Sequence, residues 1–155
     1  MSHLPIDPTP DPSLAVLVET VTAPLLMAHP APVCLEVDID PSIPVPTGVA
    51  AMTEIVRAIT AQMLSELGGG GDFVITACQT ETTIELEMAD DGPDKQHRSR
   101  SLPLAVAEAG ATLNWMNCPQ GGAAVTIVFP RPADTQNAVK TRDHRQSDDA
   151  LRRAA

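Results

Sequence analysis

A chain of 155 residues is long enough for one domain with a real core and too short for two comfortable ones. The net charge of −10 argues against nucleic-acid binding by the body, since phosphate contacts need basic surface. No apolar run approaches the ~20 residues of a membrane span, no basic-then-apolar signal sequence opens the chain, and aromatics at 2% leave the core to aliphatic residues and Met.

Residues 1–12 read as a disordered arm, punctuated by Pro5, Pro8 and Pro10. Asp11-Pro12-Ser13 is a helix start, followed by Leu14, Leu17, Val18, Val21 and Leu25 on one face. Pro24 is expected to kink this helix, Pro30 to end it, and His29 to act as a polar cap at its end. Val33–Ile39 alternates as a strand, with Glu36 and Asp38 outward. A proline-rich connection leads to Thr47 or Gly48, which caps a long helix running through Leu67. Its buried face is Val49, Met52, Val56, Ile59 and Met63. The Gly68–Gly71 run ends it; without a GK[ST] ending and without a preceding strand, it is a flexible turn and not a phosphate loop.

Phe73–Cys78 and Thr82–Ala89 form a hairpin. The second strand runs into the stretch Thr83–Asp94, which delivers Asp90 and Asp91 to a Gly92-Pro93 turn. An acidic residue fixed at a strand end and followed by glycine is a candidate ligand site; a plain hairpin turn is the bland alternative. Gly92–Ser101 is polar and basic, long enough for a lid. Leu102–Ala109 is a short helix ending at Gly110, and Thr112–Asn117 and Ala123–Phe129 are strands joined through a Gly121-Gly122 turn. Residues 133–155 read as a disordered polar tail, leaving 13–132 as the domain.

The expected fold is α+β: a two-layer α/β sandwich with a mixed, roughly five-stranded sheet covered on one face by three helices. Up to Asp94 the only Lys or Arg is Arg57. The other bases are Lys95, Arg98 and Arg100, then a tail set beginning at Arg131. Cys34, Cys78 and Cys118 are odd in number and form no CxxC. That argues against a disulfide framework or zinc site and for a reduced, cytoplasmic setting.

From about Ser13 to Pro132 the chain resembles the catalytic ATP-binding domain of sensor histidine kinases, within the superfamily that includes gyrase, the large heat-shock chaperones and MutL (the GHKL ATPases, with a Bergerat-type fold). The resemblance rests on SLAVLVETVTAPLLMAHPAPVCLEVDIDPSIP, MTEIVRAITAQML, IELEMADDGPD and LPLAVAEAGATLNWMNCPQGGAAVTIVFP, in order and with compatible spacing. It implies that Asp90 stands for the aspartate that accepts a hydrogen bond from the adenine amino group, a bond worth about 1.5–3 kcal/mol. Gly92 matches the first glycine of the same box, and Asp94 stands where a second glycine is expected. Glu54 matches the position of a water-activating base in some members. Ala58 replaces the asparagine that holds magnesium, and alanine offers no oxygen.

Gln62, one turn on, is a candidate amide, and Lys95, Arg98 and Arg100 are candidate phosphate contacts. Asp94–Ser101 contains no glycine, so the lid is reduced. The resemblance therefore implies a degenerate kinase-type ATPase domain, a regulatory or binding module in bacterial two-component-like signalling. ATP binding is then weak or absent, magnesium doubtful, and the partner a protein, with no nucleic acid and no membrane. The alternative is a working ATP-dependent kinase or ATPase that phosphorylates a partner in trans, as anti-sigma kinases do. No acceptor-bearing helical hairpin is expected before the domain. A third reading, phosphotransfer through His29 or His97, lacks a helical-bundle context.

Overall fold

The computed structural model describes residues 11–131. The tail expected over 133–155, and all of the expected arm except Asp11 and Pro12, lie outside the described residues. The elements are α1 (Leu14–Ala28), β1 (Val33–Asp38), α2 (Val49–Glu66), β2 (Gly71–Gln79) and β3 (Thr83–Asp90). A 3-10 turn (Lys95–His97), α3 (Leu104–Glu108), β4 (Thr112–Asn117) and β5 (Ala123–Pro130) complete them. The strands form one open sheet in the order β1-β2-β3-β5-β4. β1 runs parallel to β2, as the intervening α2 crossover requires, and the other pairs are antiparallel. The α+β sandwich expected from the sequence is the observed fold.

The core lies between the helices and one face of the sheet. Met52, Ile55, Val56, Ile59 and Met63 of α2 meet the inward rows Phe73/Ile75, Ile84/Leu86/Met88 and Val125/Ile127/Phe129. Fully burying side chains of this size stabilises the fold by about 1.5–3 kcal/mol each. On α1, Leu14, Leu17 and Val18 are buried as expected, Val21 and Leu25 of the same expected face are only part-buried, and Thr22 is buried. Its hydroxyl donates to the Val18 carbonyl at 2.8 Å, so the polar atom is satisfied within the helix and the methyl group can face inward. The sequence places Val49 on the buried face of α2, but as the first helical residue it stays 37% exposed. α3 begins at Leu104, not Leu102. Pro103 disfavours helical backbone at the residue before it and becomes the cap. Gly110, at φ +65, closes α3, with Ala111 N–H donating to the Val106 carbonyl.

Among the described residues, the other face of the sheet carries no helix. Glu36, Asp38, Asp72, Glu85 and Glu87 alternate with the buried rows and point to that side, and none of the strands contains a Lys or Arg. Between α1 and α2, the His29 ring sits 2.9 Å from both the Ala31 and Leu64 carbonyl oxygens, joining the two helix ends.

Candidate functional site

The inward row of β3 is Ile84, Leu86, Met88 and then Asp90, all buried. Asp90 therefore enters the core side of the sheet by strand alternation alone, at the last paired position, opposite Phe73 and Ala123. Two glycines make room for it. Gly92 donates its N–H to Asp90 Oδ1 at 2.9 Å, and a Cβ there would lie 3.0 Å from that oxygen. Gly122, in the β4–β5 turn at φ +87, packs so closely that a Cβ would sit 1.8 Å from the Asp90 carbonyl oxygen.

A buried carboxylate needs a partner, and Arg98 supplies it. Its guanidinium donates Nη1 to Asp90 Oδ2 at 2.7 Å and Nη2 to Oδ1 at 2.8 Å, with both side chains free of solvent exposure. Arg98 Nε donates to the Pro93 carbonyl at 2.9 Å, and Nη2 reaches the same oxygen. The guanidinium carbon lies 5.8 Å over the ring of Trp115 on β4. Hydrogen bonding to Asp90 raises the Arg98 pKa above its ordinary value, outweighing burial, and the charges of Asp90 and Glu66 add to the effect.

The segment around Arg98 is tied down on both sides. Lys95 N–H donates to Asn117 Oδ1 at 2.9 Å, and Lys95 Nζ to the Trp115 carbonyl at 3.0 Å. Asn117 Nδ2 donates to Gln96 Oε1 at 3.0 Å. From α2, Gln62 Nε2 donates to the Ser99 carbonyl, and Gln62 Oε1 accepts from Ser101 Oγ at 3.1 Å. The expected lid is thus a strap held between α2 and β4.

The sequence-predicted residues divide accordingly. Asp90, Gly92 and Arg98 form one buried cluster, with Lys95 and Gln62 anchoring the strap around it. Glu54 and Ala58 lie on the exposed side of α2, Arg100 is exposed on the strap, and none of them bonds to the cluster. A cavity of about 350 Å³ that reaches Asp90 opens on the uncovered face of the sheet, between Asp72, Asp91 and Cys118, and touches neither Glu54 nor Ala58. Burial, more than the nearby Asp90 and Glu87 charges, pushes the Cys118 thiol pKa up.

Sequence reasoning missed Trp115 and Gly122 as site residues. Their one sequence signal was being the lone tryptophan and half of a glycine pair.

The Asp90 carboxylate is already taken in this arrangement. Asp90 Oδ1 is filled by two donors, and Oδ2 is shut from solvent by the fork. Ala58 has no oxygen to offer, and among the described residues no group of His, Cys, Asp or Glu is disposed to hold a metal ion.

Solved histidine kinase structures share this fold. The mycobacterial sensor histidine kinase MprB is 18% identical with a TM-score of 0.60, over 76% of this chain and 95% of that one. The chain has the histidine-kinase ATP-binding fold. The nucleotide-free catalytic domain of histidine kinase ThkA superposes with a TM-score of 0.62 at 15% identity, over 77% of this chain and 92% of that one. The ATP-binding domain of PrrB from Mycobacterium tuberculosis gives 0.56 at 21% identity, over 77% and 95%. No family model matches the sequence, and no curated protein matches it.

Proposed function

We propose that the chain is a degenerate histidine-kinase-type ATPase domain, spanning 13–132, that serves as a regulatory or binding module in bacterial two-component-like signalling. One observation carries this reading. On α2, Ala58 stands where the resemblance calls for the magnesium-holding amide, and the nearest substitute, Gln62, already spends its side-chain amide on Ser99 and Ser101. Magnesium takes hard oxygen ligands and positions the transferring phosphoryl group, so phosphoryl transfer suffers first. Asp94, in place of a second glycine, adds negative charge near a polyanion. Each change costs about 1–3 kcal/mol, together roughly a hundredfold or more in affinity. The remaining role is recognition of a protein partner, in a cytoplasmic setting. No described helix is long and apolar enough to cross a membrane.

Calorimetry of the purified chain with ATP and magnesium tests this. The expected result is weak or silent heat. Micromolar, magnesium-dependent binding that Asp90→Asn abolishes would overturn the reading and favour a working kinase that acts in trans.

A further inference from the structure

We propose that Arg98 is a built-in occupant of the adenine subsite: its guanidinium takes the hydrogen bonds that an adenine amino group would take, and a purine enters only when the strap carrying Arg98 lifts. The proposal rests on the reading of Asp90 as the adenine acceptor, and it concerns access to that acceptor, not the missing metal ligand. A guanidinium is flat and carries N–H donors in one plane, and here it lies over the only tryptophan of the chain while donating twice to one carboxylate. A planar, amino-bearing base shares those features. Arg98 thus satisfies Asp90 without any ligand, which a buried carboxylate otherwise requires.

The strap is built to release. Between Asp94 and Ser101 the only buried residue is Arg98, and no apolar side chain anchors the segment. Besides the Arg98 bonds, it is held by exposed hydrogen bonds to Gln62 and Asn117 and a part-buried one to the Trp115 carbonyl. Segments with few buried apolar contacts open at low free energy. A ligand that supplies its own donor to Asp90 replaces the pair without leaving the carboxylate bare.

Adenosine is the probe, because it lacks phosphates and needs no metal. Trp115 fluorescence reports on the guanidinium above its ring, and amide exchange at Lys95 and His97 reports on the strap. Arg98→Met is expected to bind adenosine at least about tenfold tighter than the wild-type chain, because the competing state is removed. The double variant Gln62→Ala/Asn117→Ala keeps the Asp90–Arg98 pair but loosens the strap. It is expected to show faster exchange at Lys95 and His97 together with tighter adenosine binding, and it decides the matter if Arg98→Met does not fold.

Adenosine binding unchanged from wild type in a folded Arg98→Met chain, or in the strap variant with exchange accelerated, overturns the latch and leaves the degenerate-module reading standing. Conversely, if Arg98→Met gains adenosine binding and magnesium-ATP binds it far more tightly still, the latch holds and the degenerate reading falls.

Discussion

Arg98 grips Asp90 through parallel bonds of 2.7 and 2.8 Å, and neither side chain reaches solvent. Removing one partner of such a pair strands a buried charge, which costs about 3–5 kcal/mol. Arg98→Ala should therefore lower stability by that amount in urea denaturation. Removing both, as in Asp90→Leu/Arg98→Met, should recover most of the loss, because two apolar groups of similar size leave nothing unpaired. A double variant as unstable as the single one would show that the loss lies in the strap's packing.

Gly122 separates strain from collision. Its φ of +87 disfavours any side chain, and a Cβ would overlap the Asp90 carbonyl at 1.8 Å. Gly122→Ala is expected to cost on the order of 3 kcal/mol or more by chemical denaturation. Gly121, at φ +101, has open space around its Cβ position. Gly121→Ala should carry only the backbone penalty, about 1 kcal/mol.

Cys118 should be the slow thiol. The thiolate is the nucleophile, so a raised pKa means a smaller thiolate fraction at neutral pH. Alkylation followed residue by residue in mass spectrometry should modify the exposed Cys34 and Cys78 before Cys118. The Cys118 rate should keep climbing with pH beyond the ordinary thiol range. Equal rates at all three positions near neutrality would contradict the assigned burial.

Thr60 on α2 is fully buried, and its hydroxyl finds no hydrogen-bond partner among the described residues. An unmatched buried hydroxyl carries a desolvation penalty of about 1–3 kcal/mol. Thr60→Val removes that oxygen and keeps the branched shape, so thermal denaturation should show a more stable chain, by roughly 1 kcal/mol.

The inward setting of Asp90 was legible before any coordinates, because Ile84, Leu86 and Met88 fix the phase of β3 and Asp90 is the next residue in step. The helix faces were legible for the same reason, apart from Val49 at the start of α2 and from Val21 and Leu25 on α1, which stay part-buried while Thr22 is buried. What Arg98 does was not legible. Lys95, Arg98 and Arg100 look alike in an irregular segment with no period. Arg98, which follows the 3-10 turn over Lys95–His97, is buried, while Arg100 stays outside. Helix periodicity likewise put Gln62 on a face of α2 without saying that a strap would come to meet it.

The uncovered side of the sheet has a consequence for the solvent. Neighbouring strands lie about 4.8 Å apart, and the register puts Glu36 beside Asp38 and Asp72, and Glu87 beside Asp38 and Glu85, so each of these carboxylates has a like-charged neighbour within about one screening length, about 10 Å at 0.1 M salt. None of the described strands supplies a cation, so dissolved sodium or potassium is expected to contribute to the neutralising. The melting temperature should climb as simple salt is added and level off once these mutual repulsions are screened.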